Sequence, residues 1–294
     1  MTYARETLIS DFESMPRMPA WVGAARAEVL EDLAFFSGAA LSHLHLVMGR
    51  QEVPHALLRD RLALRAAEAC AGFSGRRETA AEMRDALHVL RAGDLPGPAG
   101  EICQQWRRAA ERDLTVKALL RALPGFEAAQ IAGWLDAGQG GPLGRAASVL
   151  EAVLVEKPQA ESAALILADA ALALALGWDH LLPLLACGVK RSDLRKRGAD
   201  LRLACHRAVT ASAIEAARLA GDLAWRAAHL SAVAPKLRAK GAAAAVQIFL
   251  TRDAVAPSAL PLPDRAARRL CDRLVELGAV RELTGRDSFR LYGV

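Results

Sequence analysis

Apolar residues recur at helical spacing along almost the whole chain, and proline separates one run from the next. A proline cannot continue a helix through its own position without a kink, and it biases the residue before it away from α. Prolines at 54, 96, 98, 124, 142, 158, 183, 235, 257, 261 and 263 stand in nearly every gap between periodic runs. The pattern predicts helices over Gly23–Arg50, Pro54–Phe73, Arg76–Leu90, Pro98–Arg112, Thr115–Ala122, Phe126–Ala137, Leu143–Val155, Gln159–Leu176 and Ala199–Ala234. Gly93 and Asp94 read as a stop before a new helix near Pro98. AGQGGPLG, residues 137–144, holds four glycines and a proline, and reads as an internal linker or flexible loop. AFFSGAALSHLHLV before RLALRAAEACAGFSG is loosely like ADAALALALGWDHLLPLL before RLACHRAVTASAIEAARLAGD. Either a duplicated helical unit or shared alanine-rich composition accounts for that likeness.

After Pro235 the pattern changes. LRAKGAAAAVQIFLTRD predicts a helix from Lys236 to Leu250, AVAPSAL a short helix opened by Pro257, and PLPDRAARRLCDRLVELG a third helix stopped by Gly278. At 100° per residue, Ala266, Ala267, Leu270, Cys271, Leu274, Val275 and Leu277 share one side of that third helix. Arg265, Arg268, Arg269, Asp272, Arg273 and Glu276 occupy an arc of about 140° opposite. The last residues alternate apolar and polar, with Val280 and Leu283, then Phe289 and Leu291, on either side of Thr284–Asp287, which predicts a β-hairpin. Helix, short helix, arginine helix and hairpin, in that order, predict a winged helix-turn-helix.

Composition sharpens this division. With 53% hydrophobic residues, 5% aromatic and 24% charged among 294, the chain is no disordered polymer, and its alanine and leucine favour helix over strand. The net charge is +5. From Lys236 to Val294 stand 11 basic and 6 acidic residues, whereas residues 1–235 hold 27 of each, so the whole excess lies in the last fifth. The most membrane-like stretch, Ser162–Val189, is interrupted by Asp169, Asp179 and Pro183 and reads as a buried helical hairpin. Glu6, Asp11 and Glu13 stand where a secretory leader needs a basic end and an apolar run. Cys70, Cys103, Cys187, Cys205 and Cys271 are odd in number and widely spaced, which builds neither a disulfide nor a metal framework. The expectation is a cytoplasmic protein with free buried thiols, no membrane association, no cofactor and no metal.

A helix about 12 Å across fits the major groove, and arginine serves both phosphate and guanine. The expected DNA contacts are therefore Arg265, Arg268, Arg269 and Arg273 on the helix, with Arg286 at the tip of the wing and Arg290 after it. The same face also suits plain solvation, since Arg268 and Asp272 are spaced as an i,i+4 ion pair and Arg273 and Glu276 as i,i+3. Winged helices dock proteins as well.

Other constellations are weaker. Glu82, Asp85 and His88 fall on successive turns of one helix, with Asp94 and Glu101 around the LPGPAG corner, but Arg84 and Arg91 can pair with them. His43 and His45 are two apart on a helix and point to different faces. KRSDLRKRGADLR, residues 190–202, holds six basic and two acidic residues and reads as a solvated connection, with a second phosphate-contacting loop as the alternative. Trp21, Trp106, Trp134, Trp178 and Trp225 are spread over separate helices and read as core anchors.

The run VAPKLRAKGAAAAVQIFLTRDAVAPSALPLPDRAARRLCDRLVELGAVRELTGRDSFRLYGV, with the internal LALRAAEACAGFSGRRETAAEMRDALHVLRAGDLPGPAG, resembles the bacterial domain-of-unknown-function 1403 family over most of the chain. Its C-terminal part is also similar to the terminal winged helix attached to some Fic-type and other bacterial proteins. The resemblance implies the fold and no activity, and the Fic-type catalytic loop, a His followed by a Gly-rich anion cradle, is absent. The expected architecture is mainly α: a neutral helical domain over 1–235, followed by a winged helix-turn-helix over 236–294. The expected function is that of a non-enzymatic, double-stranded-DNA-binding protein, a transcriptional regulator or replicon-maintenance factor. Its helical domain would form a homodimer or sense a partner. The alternative is an interaction scaffold in which the winged helix docks a protein.

Overall fold

The computed structural model describes residues 16–24, 28–90, 93–237, 240–284 and 289–294. The chain is mainly helical, as its alanine and leucine content and 3.6-residue periodicity require. Among the described residues the α-helices are α1 (Ala20–Ala24), α2 (Leu30–Met48), α3 (His55–Phe73), α4 (Ala80–Val89), α5 (Gly97–Glu111), α6 (Val116–Ala122), α7 (Ala128–Asp136), α8 (Pro142–Glu156), α9 (Glu161–Ala175), α10 (Leu184–Gly188), α11 (Gly198–Val233), α12 (Ala242–Phe249) and α13 (Asp264–Glu276). Two short strands follow, β1 (Arg281–Glu282) and β2 (Tyr292–Gly293). Single 3-10 turns stand at Asp193–Arg195, Ala234–Lys236 and Pro257–Ala259.

These elements match the proline-bounded runs closely, with three differences. The run Gly23–Arg50 is two helices, α1 and α2, with Glu28 and Val29 outside both. Helix α12 starts at Ala242 rather than Lys236, because Pro235 lies in a 3-10 turn and Gly241 takes a left-handed φ of 99°. Helix α10 lies beyond the run ending at Leu176, as a single short turn in the second half of the stretch read as a helical hairpin.

Among the described residues the chain divides into two compact units. One comprises Met18–Leu44 with Leu62–Ala216, and the other residues 16–17, His45–Arg61 and Ala217–Val294. In the first, α9 is the central element. Every residue from Ala163 to Ala173 is buried, with α8, α10, α7 and α5 against it. A helix apolar all round belongs in a core, and 15 residues fall short of the ~20 that span a bilayer. Gly188, at the end of α10, abuts α11 so closely that a Cβ would collide with the Ala208 carbonyl. Of the tryptophans, Trp106 and Trp134 are core residues as expected, but Trp21 and Trp225 are 51% and 54% exposed. Trp21 stacks on Phe35 and Trp225 on His229 rather than entering a core.

The acid within α9 has a local purpose. Asp169 is fully buried, and its carboxylate accepts the N–H groups of Leu185 (2.8 Å) and Ala186 (3.2 Å), which α10 cannot satisfy internally. Burial pushes its carboxyl up to about 8, against the downward pull of these N–H bonds. Asp169→Ala removes the acceptor from two buried donors and is expected to destabilise the chain by about 2–4 kcal/mol, with Asp169→Asn milder because it keeps one acceptor. The folded pKa lies above the unfolded value of about 4, so this group's stabilisation is full below pH ~4 and lost as pH rises toward 8. Urea midpoints of wild type and Asp169→Asn at several pH values should therefore diverge in the asparagine variant's favour as pH rises. Parallel midpoints would count against this account.

Candidate nucleic-acid interface

Helix α13 follows Pro261 and Pro263, carries Asp264 in its first turn against the positive end of the helix dipole, and stops at Gly278, whose φ of 67° ends the turn. His229 on α11 donates its Nε2–H to the Leu277 carbonyl at 3.1 Å, satisfying one acceptor at this end. The inward face is Ala267, Leu270, Cys271 and Leu274. Val275, expected on that face, is 40% exposed, because it projects between Asp264 and Arg268 on the helical wheel.

The outward arc sorts its charges by position. Arg265, Arg269 and Arg273 follow at i, i+4 and i+8 and form one ridge along the helix. Arg268 lies on the neighbouring flank between two acids, pairing at 3.6 Å with Asp264 rather than with the expected Asp272. Arg273 pairs with Glu276 at 2.9 Å as expected. Arg265 and Arg269 are exposed and have no carboxylate partner among the described residues. Arg290 stands 3.8 Å from Glu282, and Arg286 lies outside the described residues. An open cleft of about 400 Å³ separates the Arg268 flank from β2, lined by Asp264, Arg268, Asp272, Phe289, Arg290 and Tyr292 among others. Burial raises the Tyr292 phenol, and its hydrogen bond with Arg290 partly offsets that.

Behind this surface the last residues are tied down by contacts of high sequence separation. β1 and β2 pair antiparallel, Arg281 opposite Gly293 and Glu282 opposite Tyr292, and Tyr292 also bridges Val255. Leu291 packs with Ala254 and Ala256, flanked by Leu283 and Phe289. The Thr284 hydroxyl donates to the Phe289 carbonyl (3.1 Å) and accepts the Leu291 N–H (3.0 Å). Gly293 lies against the Asp253 carbonyl, where a Cβ would stand only 2.5 Å from that oxygen. Arg61 on α3 donates Nε–H to the Asp253 carboxylate (2.8 Å) and Nη2–H to the Val294 main-chain oxygen (3.2 Å), while the Asp253 N–H donates to Asp60 (2.8 Å). The side chains of Arg61 and Asp253 are only 12% and 3% exposed. Sequence reasoning missed this pair, because nothing local marks an arginine as the partner of a carboxylate almost two hundred residues away.

The weaker constellations disperse. Glu82 accepts the N–H and hydroxyl of Thr79 in a capping box, and His88 Nδ1 bonds the Arg84 carbonyl. No group of three or more His, Cys, Asp or Glu among the described residues is placed to hold a metal ion. His43 is buried and its pKa lowered by that burial, while His45 is exposed on another face. In the basic connection Asp193 takes Lys196 (2.7 Å) and the Lys190 N–H (3.0 Å), and Glu151 takes the Gly198 N–H. The five cysteines are free. Burial pushes the thiols of Cys70, Cys205 and Cys271 up to about 12 and raises Cys187 too, which leaves these four without a thiolate at neutral pH. No helix among the described residues is long and apolar enough to cross a membrane.

Charge follows the two units. Met1–Arg17, His45–Arg61 and Ala217–Val294 together hold 18 basic and 12 acidic residues, while Met18–Leu44 with Leu62–Ala216 holds 20 and 21. The unit that contains α13 therefore carries the entire positive excess. Fold and surface together define a mainly helical protein with a basic, arginine-bearing terminal helix. The family model described as "Protein of unknown function (DUF1403)" matches residues 6–294, and the chain belongs to that family. No curated protein matches it.

Arg61→Met strands the Asp253 carboxylate in the interior and is expected to destabilise the chain by about 3–5 kcal/mol. Combining it with Asp253→Asn should restore part of that loss. Denaturant midpoints of the two variants decide it, and a single substitution that shifts nothing removes the pair's structural importance.

Proposed function

We propose that residues 236–294 form a winged helix-turn-helix that binds double-stranded DNA, with α13 in the major groove. The observation that carries the reading is the exposed ridge Arg265–Arg269–Arg273 on a helix whose opposite face is packed, within the unit that holds all the excess positive charge. The element order supports it as well. Helix α12, the extended Val255, the 3-10 turn at Pro257, α13, β1 and β2 follow in winged-helix sequence, and pairing sets the extended segments in the order 255, 292, 281. Arg268, Arg290 and Arg286 complete the proposed contacts. The helical residues upstream serve self-association into a homodimer or sensing of a partner, and the cellular role is transcriptional regulation or replicon maintenance in the cytoplasm.

One observation favours protein docking instead. The cleft between α13 and β2 balances two guanidinium groups with two carboxylates over Phe289 and Tyr292, a lining suited to a polypeptide of mixed charge.

Gel shifts with mixed-sequence duplex at about 50 and 200 mM salt separate the two. DNA binding should weaken steeply with salt, by about 0.9 log unit per log unit of salt for each phosphate neutralised. The double variant Arg265→Ala/Arg269→Ala should lose most of the affinity while keeping the wild-type unfolding midpoint. Absence of any shift at the lower salt sinks the DNA reading, and stoichiometric co-purification of a protein without nucleic acid favours docking.

A further inference from the structure

Resting on the DNA-binding reading, we infer that α13 selects G·C base pairs, with Arg265 and Arg269 as its guanine-reading residues. From Arg268 round to Arg273 the exposed arc of α13 contains only arginine, aspartate and glutamate, with the exposed Val275 beside it in the last turn. In the major groove an arginine fork matches guanine O6 and N7, and a carboxylate accepts from the cytosine amino group. Adenine is matched by Asn or Gln, which α13 lacks, and the thymine methyl by a small apolar contact, which its exposed side offers only at Val275, in the last turn. The exposed side chains in the first half of the helix therefore suit G·C pairs.

Among the arginines, pairing decides the roles. Arg268 is engaged with Asp264, Arg273 with Glu276 and Arg290 with Glu282, so each meets a new partner only by sharing or releasing a carboxylate. Among the described residues Arg265 and Arg269 carry no such tie, and they stand in the first half of the helix, the end that reaches base edges in helix-turn-helix docking. Four residues of helix rise about 6 Å, close to two base-pair steps of about 3.4 Å. Two guanines about two base pairs apart are the expected core of the site.

Selection of bound duplexes from a random-sequence pool with the full chain tests this. Wild type should enrich sites with two closely spaced guanines, and replacing either by adenine should weaken binding between about 5- and 150-fold. Arg265→Ala and Arg269→Ala should each flatten preference at one position, and Arg265→Gln should move that position toward adenine. Arg268→Ala should weaken binding to all duplexes alike and leave the preference intact. Enrichment of A·T-rich sites, or unchanged preference in both alanine variants, overturns the inference. Binding with no preference overturns it while leaving the DNA reading standing, whereas no binding at all overturns both. Unfolding midpoints equal to wild type show that the exposed substitutions leave the fold intact.

Discussion

Asp253 stands immediately before the segment that bridges Tyr292, and almost none of its side chain reaches water. A carboxylate in that position cannot remain ionised alone, since the desolvation penalty is several kcal/mol. Arg61 compensates it, and the same guanidinium reaches the Val294 main chain, so one side chain gathers the start and the end of the three-segment pairing. The Asp253 amide is spoken for separately by Asp60. These bonds fix register. A slip of one residue would carry Asp253 away from Arg61 and into the buried apolar position of Ala254, because alternate residues of an extended chain face opposite ways. Replaced by apolar residues of like volume, such a pair can be neutral for stability. Its contribution here is to specify one arrangement of short strands that offer few hydrogen bonds of their own.

The other unit uses the same device once. Asp169 is the one acid in the buried apolar run Ala163–Ala173, and it is spent on the N–H groups of α10, a five-residue element too short to hold itself. In both units, elements too brief to be stable by propensity are held by one buried aspartate. The difference lies in compensation. Asp253 has a cation, whereas Asp169 has only backbone dipoles, and burial accordingly drives its carboxyl up to about 8.

The helices were legible because proline and glycine mark their ends and because 3.6-residue periodicity needs only local information, as α5 through α9 and α13 attest. The turn at Gly278 and the packed face of α13 were readable for the same reason. The exposures of Trp21, Trp225 and Val275 were not, since periodicity says which residues share a face but not whether a neighbour covers it. Arg61, Asp60 and Asp253 were invisible for a stronger reason: their meaning comes from one another across the chain. The expected Arg268–Asp272 pair was spaced correctly, yet Asp264 at i−4 is an equal neighbour, and only coordinates decide between equal spacings.

The near balance of charge on α13 also bears on how the helix would work. Four arginines face three acids along it, so α13 by itself attracts a polyanion only weakly. A helix serving as a phosphate clamp gains from uniform positive charge, and each carboxylate on its exposed face opposes that. The acids are not randomly placed, however. Asp264 pairs with Arg268 and Glu276 with Arg273, while among the described residues Arg265 and Arg269 have no carboxylate at pairing distance. Under the DNA-binding reading, general attraction comes from the unit's remaining basic residues, and the acids confine close approach to one orientation. Affinity and selectivity then rest on different residues, the arrangement expected of a surface that discriminates among sequences rather than merely adhering to them.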